Sequence, residues 1–404
     1  MDVRAVDVVV MGGGPAGSVT AALLAQAGAE VVVVERERFH RFHAGESVAP
    51  GTLAVLDGLD LRAPLSEVYT ARVGVRLTCA RTGRTQRFTH DDAYADVGPG
   101  WIAPRAHLDD ALLRRAEALG ARVLMPAAAE DVLFEGGRAT GVRVLHADGR
   151  REGFVARVIV DATGQDSLLA RRVGARDPIA GVERTALFAH WQRVARREGD
   201  EEGDLDVVVT PHGWIWSAPL PGDVSSVGAM VSAAWTRNRH RGESADDFYA
   251  RTLEDAPPVR AAIRRATRLT GARAASGFAF DVARRAGDGW VLVGDAAGFV
   301  DPLFDAGMHL AIGGGAEAAR AVLDALAAGD ASARRFARYD ARVRRAAELY
   351  AGLARAFYAG TLPDAMFEAR TRAARQPWAS ILSGDVFGED PPWRAAIRAR
   401  FPLR

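Results

Sequence analysis

The pattern over residues 7–35 constrains the fold most. Asp7-Val8-Val9-Val10-Met11 is a β-branched run of the kind that forms a buried strand. Gly12-Gly13-Gly14-Pro15-Ala16-Gly17 follows as a turn, and Ser18 to Ala27 reads as a small-residue helix ending at Gly28. Glu30 to Val34 is a second buried strand, closing on Glu35. Together these segments make a βαβ unit. Gly12, Gly14 and Gly17 hold the G-x-G-x-x-G spacing. Gly12 permits the tight turn, Gly14 lets the backbone approach a pyrophosphate, and Gly17 allows the helix to pack on the strand. Pro15 and Ala16 open a helix whose free N–H groups and dipole favour an anion. Glu35, with Arg36 beside it, falls about 20 residues beyond the turn, where a carboxylate can accept ribose hydroxyls. The unit therefore predicts a dinucleotide site.

Composition narrows the rest. A chain of 404 residues is long enough for two or three domains. Its 49% hydrophobic and 25% charged residues exclude a disordered chain, a collagen-like repeat and a disulfide scaffold. Basic and acidic residues number 52 and 51, which argues against a nucleic-acid or acidic-membrane partner. All 52 basic residues are Arg, so no step of the chemistry can use a lysine amine. Cys79 is the single cysteine, which excludes an intrachain disulfide and a Cys-based metal site; it reads as a small packed residue. No His, Cys and carboxylate cluster has metal-ligand spacing. The uncharged run Val8–Ala25 is long enough to cross a membrane, but Gly12 to Pro15 would break a spanning helix. With no signal-peptide architecture and no integral membrane segment, a cytoplasmic location is expected.

Strand-like segments follow at Ala71–Cys79 and Gln86–Thr89, then a helix over Arg105–Leu119, a hairpin over Val132–Leu145 turning at Glu135-Gly136-Gly137, and a buried strand at Phe154–Val160. A strand-rich stretch covers Ala186–Val194, Leu205–Thr210, Gly213–Ala218 and Val224–Val231, and a helix near Ala245–Leu253 interrupts it. Trp290–Val293 returns to a buried strand, and beyond Gly307 the pattern is helical almost to the end.

Trp290–Val293 runs into Gly294-Asp295-Ala296-Ala297-Gly298, with Pro302 and Gly307 downstream. Asp161-Ala162-Thr163-Gly164-Gln165-Asp166 ends another buried strand. With the glycine turn, these segments resemble the FAD-dependent monooxygenase superfamily. The resemblance implies FAD as cofactor, with Asp295 against the ribitol and a helix N-terminus at the pyrimidine edge. It also implies FAD contacts from Asp161, Gly164, Gly294, Arg41, Glu46, Ser47 and Arg105. The implied fold is α/β: a Rossmann-like FAD-binding domain (1–65, 100–178 and 281–335), an inserted β-sheet-rich substrate domain (66–99 and 179–280) and a helical C-terminal region (336–404). A second G-x-G-x-x-G is missing from the sequence, so a visiting reductant or a flavin reductase is expected to supply electrons.

The resemblance tightens within that superfamily. Trp214-Ile215-Trp216-Ser217-Ala218-Pro219 is similar to the W-x-W-x-I-P signature of flavin-dependent halogenases, with Ala218 replacing Ile. Phe299-Val300-Asp301-Pro302-Leu303-Phe304-Asp305-Ala306-Gly307-Met308-His309-Leu310 resembles the F-V-D-P-x-F-S-S-G-x-H-L segment of the phenol and pyrrole halogenases, and Gly45-Glu46-Ser47 resembles their G-E-S motif. This places Pro302, Ala306, Gly307 and Met308 beside the flavin, and Trp214, Trp216 and Phe304 around the substrate. Trp214 and Trp216 share one strand face, which is either core or this wall.

Two departures bear on the reaction. Such halogenases hold hypohalous acid on a lysine in a K-x-G-like segment, and Arg72-Val73-Gly74 stands there instead. Guanidinium stays protonated and is a poor nucleophile. Arg72 is either a hydrogen-bond donor to oxidant or substrate, or a solvated strand residue. Asp305 replaces a Ser beside the amides where halide is expected to bind. It reads either as an acid/base residue facing the flavin or as a helix N-cap. His190 is a candidate for the substrate cavity, His309 reads as packing, and His40 and His43 read as cofactor-side or surface residues.

The expectation is an FAD-dependent oxidoreductase that oxygenates or oxidises a small aromatic or electron-rich substrate, free or carrier-bound, through oxygen activation at flavin C4a and without lysine-dependent halogenation. The alternatives are a halogenase with a non-lysine mechanism, a non-catalytic flavin-binding protein, and a flavin reductase or dehydrogenase acting on C=C bonds.

Overall fold

A computed structural model describes residues 2–401 apart from 42, 44, 180, 241 and 389–391. The last part of the expected C-terminal helical region, 402–404, and its 389–391 segment lie outside the described residues.

One sheet carries the dinucleotide signature. Trp290–Leu292, Arg151–Asp161, Asp2–Met11, Val31–Val34 and Arg122–Leu124 lie side by side in that order, all parallel. Val8, Val9, Val10 and Met11 are fully buried, as a strand covered on both faces requires. The first strand begins at Asp2, five residues before the β-branched run, because Asp2 to Val6 pair with Glu152 to Ala156. The hairpin of Ala127–Glu135 and Arg138–His146 joins the sheet antiparallel and turns at Gly136 and Gly137, both in the left-handed region. In register, Met11 sits opposite Val34 and Asp161, and Asp161 opposite Leu292. The segments after these residues therefore emerge together at the carboxyl ends of the strands, where open α/β sheets bind ligands.

The second sheet runs Thr267–Arg268, Arg184–Gln192, Val224–Ser232, Gly213–Pro219, Leu205–Thr210, Gly74–Cys79 and Thr85–Thr89. The expected strand over Ala71–Cys79 is two strands. Thr70–Arg72 pairs with Gly100–Ile102 in a small three-stranded sheet, and the chain switches sheets at Val73. Gly74 allows this crossing, since a Cβ there would stand 2.9 Å from both the Asp204 carboxylate and the Phe88 carbonyl. Arg72 is consequently aimed between the sheets and not along the second one.

The long helix Ala306–Ala327 packs on the Pro15–Gln26 helix, and Gly315 makes the approach possible: a Cβ there would lie 2.8 Å from the Ala16 carbonyl. Thr20 Oγ1 donates across this contact to the Gly315 carbonyl at 3.1 Å. Helices Ala337–Tyr358, Thr361–Glu368, Arg372–Leu382 and Pro392–Arg400 follow. The first three of these bury an apolar face against the second sheet and the Leu303–Leu310 segment.

Candidate active site

A cavity of about 670 Å³ runs from the glycine turn to the aromatic face of the second sheet. Its first end is mainly backbone. Gly14, Pro15 and Ala16 line it, with Pro15 opening the helix and Gly14 extended at its N-cap. Gly12 and Gly17 stand behind this surface and make it possible. Gly12 has φ +105°, and a Cβ there would lie 2.3 Å from the Ala162 carbonyl; a Cβ on Gly17 would lie 2.0 Å from the Gly12 carbonyl. Gly294, φ +59°, is held the same way against Ala16.

Arg41 and Arg105 bring positive charge to this end, and both line the cavity. Arg105 donates twice to Asp109, at 2.7 and 3.0 Å, and its Nη1 lies 3.3 Å from His43. Arg41 approaches Glu35 at 3.5 Å and Asp109 at 4.0 Å. Glu35 is buried and accepts from the Gly13 and Glu37 amides, each at 2.7 Å. These bonds leave part of its acceptor capacity free. Asp295 lines the cavity and accepts from Gln165 Nε2 at 2.9 Å. Burial raises its carboxyl pKa, with the Gln165 hydrogen bond and the Arg105 charge opposing.

Several expected cofactor contacts lie elsewhere. Arg36 is exposed and pairs with Asp166 and Glu37. Asp161 is consumed by its own loop: Oδ1 accepts from the Thr163 amide and hydroxyl, and Oδ2 accepts from the Leu169 amide. Gly164 supplies a left-handed turn, and its neighbour Gln165 reaches the cavity instead. Ala306 is packed, whereas Pro302, Gly307 and Met308 line the cavity.

The other end is built from side chains. Trp214 and Trp216 share a face of Gly213–Pro219, with ring centroids 5.6 Å apart, and both line the cavity. Their N–H groups point away from it, to Tyr358 at 3.1 Å and Ser226 at 3.3 Å, so the wall is aromatic carbon. Phe188, Leu205, Phe278 and Phe299 complete it, and Arg273, Ala274 and Ala275 form part of its rim. Of these, only Phe299 belongs to a motif legible in the sequence. For Phe188 the one signal is alternation along Arg184–Gln192, which puts Ala186, Phe188 and His190 on one face.

Asp305 lines this end and Arg72 does not. Arg72 is buried, which excludes a solvated role, and its Nη2 lies 3.0 Å from Asp305 Oδ2 and 3.3 Å from the Leu382 carbonyl. Gly100 admits it, since a Cβ there would sit 3.3 Å from the guanidinium. The contact to Asp305 is ionic without hydrogen-bond alignment, so the carboxylate keeps acceptor capacity. Asp305 occupies the N-cap position of the long helix, but its side chain makes no capping hydrogen bond. Phe304 and Asp305 are consecutive left-handed residues, φ +61° and +57°. Such backbone costs on the order of 1–3 kcal/mol per residue and persists only where the surroundings hold it; the buried Phe304 ring and the Arg72 charge do so. Phe304 thus belongs to the core beside Trp214 and is not a cavity residue.

His190 is likewise set back. Its Nε2 lies 2.6 Å from Glu46 Oε1, and Glu46 lines the cavity with Ser47. His309 is fully packed: Nδ1 meets Thr52 Oγ1 at 2.9 Å, and burial pushes its pKa down to about 4. His43 lines the cavity, and His40 is on the surface near Asp110.

The arrangement suits a flavin dinucleotide. Helix N-terminal amides and two arginines face one stretch of cavity, and two buried polar atoms on its walls, Arg41 Nε and Ser47 Oγ, have no hydrogen-bond partner among the described residues. Buried polar groups are rarely left so. Fold and site thus define an FAD-dependent oxidoreductase.

Comparison with known proteins makes the assignment specific. A family model described as FAD binding domain matches residues 5–353, and the chain belongs to that family. A pyrrole-2-carbonyl peptidyl-carrier-protein chlorinase of Pseudomonas fluorescens is 27% identical over 364 residues, which cover 84% of this chain and 80% of the relative. The flavin-dependent brominase Bmp2 superposes with TM-score 0.88 at 25% identity, over 98% of this chain and 99% of that one. A flavoprotein/dehydrogenase from Cytophaga hutchinsonii gives TM-score 0.89 at 25% identity, over 99% and 97%. The chain is a halogenase-like FAD enzyme. No helix among the described residues is long and apolar enough to cross a membrane, and they hold no cluster of metal-ligating side chains.

Proposed function

We propose that this enzyme oxidises or oxygenates a small aromatic or electron-rich substrate without lysine-mediated halogen transfer. The observation that carries this reading is the Arg72–Asp305 pair: Asp305 lines the aromatic end of the cavity, and Arg72, which the resemblance aligns with the halogenase lysine, lies buried behind it. Bound reduced FAD supplies the two-electron activation of oxygen. The protein's own groups do the rest. Trp214 and Trp216 offer flat apolar surface to a ring. Asp305 accepts a hydrogen bond, or a proton, from a substrate O–H or N–H, and the Arg72 guanidinium 3.0 Å away holds it in place. A carboxylate beside the Ala306–Gly307 amides repels chloride or bromide from them. Electrons come from a flavin reductase or a transient reductant. A carrier-bound substrate is consistent with the carrier-bound pyrrole named for the chlorinase relative.

A second reading, halogenation without lysine, is favoured by the chlorinase and brominase relatives. Supplying reduced FAD, oxygen and bromide with a panel of phenols and free or carrier-bound pyrroles separates the two by mass spectrometry. Oxygenated or dehydrogenated product without bromine is expected; substantial brominated product would support the second reading. Asp305→Asn, nearly isosteric, should lower turnover about 100-fold, the usual contribution of a positioned acid or base, with FAD retained.

A further inference from the structure

A hydrogen-bonded line leaves the cavity wall in one direction. Trp214 Nε1–H donates to Tyr358 Oη at 3.1 Å, and Tyr358 Oη–H donates to Asp301 Oδ2 at 2.6 Å. Asp301 is buried, and its other oxygen accepts from the Leu303 amide at 2.9 Å. Trp216, the neighbouring indole, donates only to Ser226, so the line starts at Trp214 alone. The Arg184 guanidinium lies over the Tyr358 ring, 3.8 Å from its centroid.

We propose that Trp214, Tyr358 and Asp301 form a one-electron exit from the cavity, with Tyr358 as its redox-active residue. A one-electron oxidant in the cavity takes an electron from Trp214 and leaves an indole radical cation. Tyr358 then returns one electron to the indole and passes its phenolic proton to Asp301. The products are a neutral indole, a neutral tyrosyl radical and a protonated carboxyl, and the oxidant is reduced by one electron.

The surroundings make proton and electron move together. Burial and the Asp301 charge hold the Tyr358 phenol well above its ordinary pKa, so it does not ionise beforehand. Arg184 disfavours positive charge on the ring, so the electron cannot leave without the proton. Asp301 is raised by burial to about 6 and is mostly carboxylate at neutral pH, ready to accept. An enzyme that activates oxygen against an indole wall exposes that wall to stray oxidant, and this line carries the damage away from Trp214.

The test uses the FAD-bound protein, with photoexcited oxidised FAD as the one-electron oxidant, and reads radicals by transient absorption and by electron paramagnetic resonance after freezing. The native protein should show a tryptophan radical giving way to a neutral tyrosyl radical. Tyr358→Phe should lose the tyrosyl signal and prolong the tryptophan one. Asp301→Asn, which keeps the phenol, should also lose the tyrosyl signal. Trp214→Phe should lose both. A tyrosyl signal undiminished in Tyr358→Phe, or no tyrosyl radical in the native protein, would overturn the proposal. The readout is independent of substrate, so it stands whichever reaction the enzyme performs.

Discussion

At the glycine-turn end of the cavity the binding surface is backbone, set by one contiguous segment and the strands beside it. At the aromatic end it is side chain, contributed by strands of the second sheet, Phe278 and the Phe299–Met308 segment. The difference teaches where each part of the function is encoded. Backbone amides at a helix N-terminus bind any pyrophosphate, so the first end needs only local sequence to hold a dinucleotide. The second end must be complementary to a particular reaction, and there Asp305 lines the cavity with the buried Arg72 guanidinium 3.0 Å behind it.

The largest effect should follow from breaking the backbone end. Gly17→Val places carbon within 2.0 Å of the Gly12 carbonyl. It should cost about 3 kcal/mol, the upper end of the usual scale of overpacking, and should abolish flavin retention, read by visible absorbance and thermal unfolding. Next is Arg72→Met, which strands a buried carboxylate and should cost about 3–5 kcal/mol. FAD should still bind, because the other end is untouched. Adding Asp305→Leu should recover most of that loss, since well-packed apolar residues often replace a buried pair at no cost. Denaturant midpoints of both variants check this.

His309, buried on the long helix against Thr52, should give a smaller, pH-dependent effect. Its pKa is about 4 when folded against 6.5 for the free side chain. A folded value below the unfolded one means full stability above pH 6.5 and loss as pH falls toward 4, about 3 kcal/mol in all. His309→Gln should remove that part of the acid limb in pH-dependent unfolding. Smallest is Trp216→Phe, whose indole contact with Phe188 and Trp214 is retained in part. It should weaken binding of an aromatic ligand by about 1 kcal/mol, read by fluorescence titration, with FAD affinity unchanged.

The legibility of the sequence divides along the same line. The βαβ unit could be read because its signals are local: a β-branched run, glycines at fixed offsets and an acidic residue at the next strand end. The flavin motifs gave Arg41, Glu46, Ser47, Arg105, Asp295, Pro302, Gly307 and Met308, all of which line the cavity. Asp161, expected at the cofactor, accepts hydrogen bonds within its own loop, a role that a carboxylate at a strand end does not announce in the sequence. Arg72 and Asp305 were singled out separately, but their pairing depends on the sheet switch at Val73, which no local pattern announces. Phe188, Phe278 and the Trp214–Tyr358–Asp301 line were missed because tertiary packing alone brings those segments together.

The proposal that Asp305 keeps halide off the Ala306 and Gly307 amides is tested most directly by crystals of the FAD-bound protein soaked in bromide, using the anomalous signal of the halide. The account predicts no bromide on the Ala306 and Gly307 amides, with Asp305 still beside Arg72. Ordered bromide on those amides, with the Asp305 carboxylate turned away, would contradict it.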